Sequence, residues 1–353
     1  MKLNEPVAEV AAPAPPGLGT SSTAPAPALD ATRPPEMGEE SRLRSFASRR
    51  RTELTLVLVM LVIGIVATSA SPVFLTWGNW KTVLIQASFV GMLACGMTVL
   101  MVSGGIDLSV GMAVSFAGMV LGTTLIEHGL PLGIAIALAI LVATGVGLVN
   151  GVLAANSVAH PFILTLGTMT LLQGAALAIN NDPIIGFPEG LLNAMAAQPL
   201  GIPIVVLIFA GVAVVCHILL SQTVIGRHVQ ALGGSHDAAR LAGVRVQRLT
   251  IGLYGFMGLL VGVTAVLMSA TLSSAGPQAG RGMELMAIAA VAVGGTPLQG
   301  GRGGVPGTLL GLVLIVMIGN VLNLLSIDPN LQYIVVGAII VTAVMGQGRR
   351  RSS

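Results

Sequence analysis

A single carboxylate interrupts a long and almost uncharged stretch of the chain. Asp107 lies in the segment 103–109 (SGGIDLS), between two long apolar runs. An aspartate at the centre of a membrane-spanning helix costs about 2.5 kcal/mol or more, and adjacent glycines favour an unwound backbone. An ionisable side chain on a flexible break therefore indicates a binding point or a pathway for a polar solute.

A second glycine-rich break resembles the first. The segment 294–304 (GGTPLQGGRGG) also follows an apolar run, opens with Gly-Gly and precedes another apolar run. Non-helical backbone inside a membrane is tolerated only where it is buried in protein or lines a water-filled cavity. Broken helices also expose backbone groups that could bind a polar solute. The alternative is that both breaks are short cytoplasmic turns. We predict that a translocation path is lined by Gly104, Gly105, Asp107, Ser109, Gly294, Gly295 and Thr296.

The composition predicts an all-α, polytopic membrane helix bundle. Hydrophobic residues make up 54% of the 353 residues and charged residues only 9%, whereas soluble domains have roughly 25% charged residues. So few charges could not cover the surface of a soluble protein of this length. The lipid bilayer is thus one partner, and nothing in the charge pattern indicates nucleic acid.

The two breaks must be positioned by the apolar runs around them. A membrane-spanning helix needs about 17–25 residues, and most of these runs are that long. We predict about ten transmembrane helices, with broken or short helices at the Gly-Gly segments. The run at 284–296 is too short to cross comfortably. The predicted spans are 54–70, 83–102, 110–126, 130–155, 161–180, 200–220, 249–270, 284–296, 305–325 and 331–346.

Arginines fix the predicted orientation of these spans. They cluster before the first apolar run, within residues 227–248, and at 349–351. Because excess Lys and Arg mark cytoplasmic loops, both termini and the internal cluster are predicted to be cytoplasmic. Ten crossings agree with this, since an even number returns the chain to its starting side.

The segments outside the spans complete the predicted domain organisation. Residues 1–52 are rich in Ala and Pro and lack apolar periodicity, which predicts a disordered cytoplasmic tail. Residues 53–348 form the transmembrane domain, with a cytoplasmic loop at about 221–249. Residues 349–353 form a basic cytoplasmic C-terminus.

The internal basic loop has the signals of a short helix. Ser235 suits the N-cap position, Asp237 is favourable in the first turn, and Gly243 could end the helix. A short helix between two spans and outside the membrane suits docking to another subunit. On composition alone, a solvated positive-inside loop is the simpler interpretation.

The sequence contains no pattern typical of catalysis, metal binding or nucleotide binding. Its only lysines are Lys2 and Lys81, so a Gly-x-x-x-x-Gly-Lys-Ser/Thr phosphate loop is excluded. Its two cysteines, Cys95 and Cys216, are isolated within apolar runs and lack metal-ligand spacing. We therefore predict no catalytic residues, no metal and no cofactor in this chain.

Several motifs together resemble one family of membrane proteins. In order and spacing they are similar to those of the membrane permease subunit of ribose-type (monosaccharide) ATP-binding-cassette importers, over roughly residues 55–346. The ordered combination is highly specific. The motifs are 104–111 (GGIDLSVG), Asn150-Gly151, 161–168 (PFILTLGT), Gly226-Arg227, Gly233-Gly234, Ala238-Ala239-Arg240, Gly243, Glu284-Leu285, 287–290 (AIAA), Gly294-Gly295-Thr296 and 300–303 (GGRG).

The resemblance implies a function that depends on partners. It implies a permease of the bacterial inner membrane, a separate ATPase subunit that holds ATP and Mg²⁺, a periplasmic sugar-binding protein, and a second permease copy in a homodimer. It also implies that the ATPase docks on a coupling helix, and the matching segment in this chain is Ser235–Gly243 within the internal basic loop. The residues implied in docking are Gly226, Arg227, Gly233, Ser235, Asp237, Ala238, Ala239, Arg240 and Gly243.

Three rival functions remain open at this stage. A branched-chain amino-acid-type importer permease has the same general architecture. A secondary transporter driven by an ion gradient would explain a buried Asp107, although the sequence offers no second intramembrane carboxylate or basic residue as its partner. A channel-like protein would conduct without ATP.

Overall fold

The computed structural model describes residues 39–157, 159–328, 331, 334, 335, 337–339 and 341, with side chains described from residue 53 onward. The described residues from 46 onward belong to one compact unit. The helices are α1 (Glu39–Ala70), α2 (Trp77–Val102), α3 (Val110–Gly122), α4 (Leu132–Asn156), α5 (Pro161–Ile179), α6 (Glu189–Ala196), α7 (Ile204–Gln222), α8 (Val224–Gly234), α9 (His236–Leu241), α10 (Val246–Leu272), α11 (Met283–Val293) and α12 (Val305–Leu324).

Irregular helical turns and a small sheet complete the described structure. A π-helical turn at Thr123–Glu127 extends α3, and a 3₁₀ turn at Pro199–Gly201 precedes α7. The strands β1 (Ile184–Ile185) and β2 (Ser274–Ala275) pair antiparallel. The sheet therefore joins the α5–α6 connection to the residues that follow α10.

The prediction of a polytopic helical bundle is confirmed. Within the described residues, eight helices are long and apolar enough to span a membrane: α1, α2, α3 with its π-helical extension, α4, α5, α7, α10 and α12. Helix α11 has 11 residues, about 16 Å at 1.5 Å per residue, so the shortness expected of the run at 284–296 is confirmed. Most of the predicted span 331–346 lies outside the described residues.

Helix α1 overlaps the end of the predicted tail. It begins at Glu39 and so includes residues 39–52, while residues 1–38 lie outside the described residues. The sequence has no Gly or Pro between Gly38 and Gly64. Because these are the residues that most strongly oppose a helix, a helix can extend from the apolar run back to Glu39.

Helices α2, α3 and α10 form the interior of the bundle. Most of their residues are buried, whereas most residues of α1, α4, α5 and α7 are half-buried or exposed. The exposed faces are apolar, with Leu58, Leu141, Leu171 and Val214 more than half exposed. Such an arrangement is expected when the outer helices contact lipid tails and the inner helices contact only other helices.

Glycines bring α4 and α10 into backbone contact. A Cβ built on Gly147 would lie 2.9 Å from Cα of Gly258, and one built on Gly262 would lie 2.7 Å from Cα of Ile140. Small residues permit this close approach between membrane helices. Gly145, in contrast, has no neighbour within 4 Å of its Cβ position, so only some of these glycines serve packing.

Candidate functional site

The first break begins with a glycine-based helix end. Helix α2 stops at Val102, and Gly104 follows with φ +86°. The Gly104 N–H donates to the Met101 carbonyl (2.9 Å) and the Gly105 N–H donates to the Leu100 carbonyl (3.0 Å). This pair of bonds is the Schellman motif, which requires the left-handed conformation that glycine adopts without strain.

The second break begins in the same way. Helix α11 stops at Val293, and Gly295 follows with φ +92°. The Gly295 N–H donates to the Ala292 carbonyl (3.0 Å) and the Thr296 N–H donates to the Val291 carbonyl (3.2 Å). The similarity seen in the sequence is therefore a shared backbone structure, since both breaks start with a Schellman motif.

The carboxylate of the first break is enclosed by hydrogen-bond donors. Asp107 is 3% exposed, and its Oδ1 accepts from the Ser109 N–H (2.8 Å) and the Ser109 hydroxyl (2.6 Å). The Asn150 side-chain amide lies 2.8 Å from Ser109 Oγ and 3.4 Å from each Asp107 oxygen. Thr168 donates to Asn150 Oδ1 at 2.7 Å. These four side chains form the Asp107 network, which links the break to α4 and α5.

Two more hydrogen bonds hold the backbone of the same break. The Leu108 N–H donates to Thr165 Oγ of α5 (3.1 Å). The Tyr254 hydroxyl of α10 donates to the Ile106 carbonyl (3.0 Å). The interior helix α10 and two outer helices thus fix residues 106–109. No role for Asn150 or Tyr254 was predicted from the sequence; the signal available for Asn150 was an asparagine within an apolar span.

The predicted path residues differ in their surroundings. Asp107, Ser109 and Thr296 are buried within the chain, Gly104 and Gly294 are half-buried, and Gly295 is exposed. Buried hydrogen-bonded groups such as those of Asp107 and Ser109 position their own backbone first. That these residues line a path stays a prediction.

The structure brings the two breaks into direct contact. The Gly301 N–H of the second break donates to the Val102 carbonyl, the last helical residue of α2, at 2.8 Å. A Cβ built on Gly300 would lie 2.7 Å from the Gly104 nitrogen. The two motifs that the sequence presents almost 200 residues apart therefore lie against each other in the fold.

The short helix expected in the basic loop is present as α9. Ser235 Oγ accepts from the Ala238 N–H (3.3 Å), which confirms the predicted N-cap. Gly243 has φ +83° and its N–H donates to the Arg240 carbonyl (3.0 Å). The prediction that Gly243 ends this helix is therefore also confirmed.

A longer helix, α8, precedes α9 and was not predicted. Thr223 caps it by accepting from the Gly226 N–H at 3.1 Å. Three glycines in 11 residues weaken the local helical signal, and the burial of Val229 and Leu232 indicates that packing stabilises α8. A single residue, Ser235, separates α8 from α9.

The residues implied in docking divide into two groups. One group is turned toward the chain itself: Gly226 and Ala239 are buried and Gly233 is half-buried. The other group is exposed and available to a partner, and it consists of Arg227, Ser235, Asp237, Ala238, Arg240 and Gly243. Next to them, Leu241 is 89% exposed.

The family model described as "Branched-chain amino acid transport system / permease component" matches residues 79–344. The ribose import permease protein RbsC of Escherichia coli (strain K12) is 36% identical over 302 residues, which cover 84% of this chain and 94% of that protein. The D-allose permease AlsC of the same strain is 31% identical (87% and 98% covered), and the L-arabinose permease AraH is 33% identical (82% and 88% covered). With its bundle of apolar helices, the chain therefore belongs to this family of permease components, as a multi-pass membrane protein.

Proposed function

We propose that the chain is the permease subunit of an ATP-driven importer that carries a monosaccharide or a sugar-like solute into the cell. The observation that carries the proposal is the similarity to permeases named for ribose, allose and arabinose, which extends over most of each chain. We place the protein in the bacterial inner membrane with both termini cytoplasmic. Energy comes from ATP and Mg²⁺ in a separate ATPase subunit, a periplasmic binding protein delivers the solute, and two copies of this chain form a homodimer.

The two breaks are the proposed inner part of the translocation path. Among the predicted path residues, Gly295 is exposed and Gly104 and Gly294 are half-buried, so a passing solute can reach backbone groups at these positions. We assign Asp107 a positioning role, because its Oδ1 is occupied by Ser109. Solute selectivity then rests mostly with the binding protein, since a path must release what it holds.

The proposed function is tested by uptake into proteoliposomes. The permease would be co-expressed with its ATPase, purified and reconstituted with the binding protein. We expect accumulation of radiolabelled sugar that requires ATP and is unaffected by an uncoupler. Uptake that the uncoupler abolishes would indicate an ion-coupled transporter, and flux without ATP would indicate a channel. Uptake of leucine in place of sugars would favour a branched-chain amino-acid permease.

The exposed face of α9 is the proposed contact with the ATPase. Leu241→Asp places a charge on a side chain that is 89% exposed and adjoins Arg240. We expect the ATPase that co-purifies to fall about tenfold, which corresponds to about 1.4 kcal/mol of binding energy. The amount is measured by affinity purification through the permease.

The matched control for this variant is Leu200→Asp. Leu200 is 95% exposed and lies before α7, on the face that we assign to the periplasm. We expect wild-type amounts of ATPase with this variant. If Leu241→Asp and the wild-type permease recover equal amounts of ATPase, the assignment of α9 as the docking contact is contradicted.

A further inference from the structure

We propose that Gly233 of α8 is a positioning residue that transmits movement of the docked ATPase to both helix breaks at once. The inference rests on the proposed function, because it requires a partner that moves α8 and α9. The structural element involved is the backbone contact among Val102, Gly233 and Gly301, which we call the glycine junction.

The glycine junction is centred on one hydrogen bond. The Gly301 N–H of the second break donates to the carbonyl of Val102 at the end of α2 (2.8 Å). A Cβ built on Gly233 would overlap both atoms of this bond and would lie 3.0 Å from the Val102 carbonyl carbon. Helix α8 therefore touches the only backbone hydrogen bond that the described residues show between the two breaks.

Neighbouring glycines extend the contact. The Cβ position of Gly301 is 3.3 Å from Cα of Gly234, and that of Gly104 is 4.0 Å from Cα of Gly233. Gly104, Gly300 and Gly301 have φ between +80° and +86°, where other residues are strained. Because backbone meets backbone here, no side-chain rotation can absorb a shift of α8, and the breaks must follow it.

The far end of the first break is held in place. Tyr254 fixes the Ile106 carbonyl, and Asn150 contacts Ser109 and Asp107. The residues from 103 to 105 thus lie between a fixed hydrogen-bond network and the junction that α8 contacts. A displacement of α8 would be concentrated in this short glycine segment, which is the part of the break with the greatest conformational freedom.

The connection to the partner is equally short. Helix α9, with its exposed Leu241, is separated from α8 only by Ser235. The Ser235 N–H still donates to the Ala231 carbonyl of α8 (3.0 Å). A force on α9 is therefore passed to Gly233 without an intervening flexible loop.

The test compares Gly233→Ala with Gly234→Ala. Cα of Gly234 lies near Gly301, but the Cβ position of Gly234 has no neighbour within 4 Å, so a methyl group added there leaves the junction untouched and this adjacent change is the matched control. In reconstituted complexes we expect Gly233→Ala to lower the ratio of sugar imported to ATP hydrolysed about tenfold, and Gly234→Ala to keep the wild-type ratio. A wild-type ratio in Gly233→Ala would overturn the inference.

A measurement on the unmodified complex covers the case in which Gly233→Ala fails to assemble. Amide hydrogen exchange is followed for peptides that contain residues 299–304, with and without ATP, using an ATPase variant that binds but does not hydrolyse it. We expect exchange at Gly301 to change at least about tenfold. If ATP binding leaves hydrogen exchange at Gly301 unchanged, the inference is overturned. If the wild-type complex shows no ATP-dependent uptake, the proposed function is refuted instead.

Discussion

Replacing Asp107 with leucine is expected to reduce both the yield of folded protein and sugar uptake to about a tenth of wild type or less. The reason is that each buried hydrogen-bond donor left unpaired costs about 1–3 kcal/mol. Leucine has the same branched arrangement of side-chain heavy atoms, but it is bulkier and accepts no hydrogen bond. The Ser109 N–H and hydroxyl would lose their acceptor in a site that is almost fully buried, and the Asn150 amide would keep Ser109 Oγ but lose the Asp107 oxygens. The free energy lost in this way is a large part of the free energy of unfolding of a typical protein, which is about 5–15 kcal/mol. Folded protein is measured by size-exclusion chromatography in detergent, and uptake in proteoliposomes.

Asp107→Asn is the control that separates charge from position. An asparagine keeps an acceptor oxygen for Ser109, although its amino group would then face the Asn150 amide. If Asp107 positions the break, uptake per folded molecule stays near wild type. If Asp107→Asn assembles normally but loses uptake, the negative charge of Asp107 has a direct role in the path instead. A Leu variant with wild-type yield and uptake would contradict the structural role of the network.

Replacing Gly147 with valine is expected to give the second large effect, through the contact between α4 and α10. A Cβ on Gly147 would lie 2.9 Å from Cα and 3.0 Å from N of Gly258. Both helices present backbone at this point, so neither can yield locally. Overpacking typically costs about 1–3 kcal/mol, and we expect the branched valine to lie at or above the upper end. The melting temperature of the purified protein in detergent measures the effect.

Gly145→Val is the matched control, two residues away on the same helix. Its Cβ position has no neighbour within 4 Å. We expect it to melt close to wild type, because the side chain meets open space. Equal melting temperatures for the two valine variants would contradict the assigned α4–α10 contact.

Local features of the sequence were predictable where local chemistry decides them. The composition required a membrane bundle, and the apolar runs placed most helices within a few residues of their observed ends. Gly104 and Gly295 marked the ends of α2 and α11, and Ser235 and Gly243 marked those of α9. In each case the determinant is the residue's own hydropathy, hydrogen-bonding group or φ preference.

Other features were decided by tertiary structure. Helix α8 has a weak local signal and forms because Val229 and Leu232 are buried. The sequence revealed Asp107 as an isolated carboxylate, but not that Asn150 and Ser109 would enclose it. Likewise it presented the two breaks and the basic loop as separate motifs.

The sequence by itself determined that this protein is a bundle of membrane helices interrupted by two glycine breaks. Only the tertiary structure decided that both breaks and α8 meet at Val102, Gly233 and Gly301. The physical reason is that hydropathy and capping act within a few residues along the chain. Which backbone atoms face each other across helices depends on their rotation and crossing, and these are set by packing of the whole bundle.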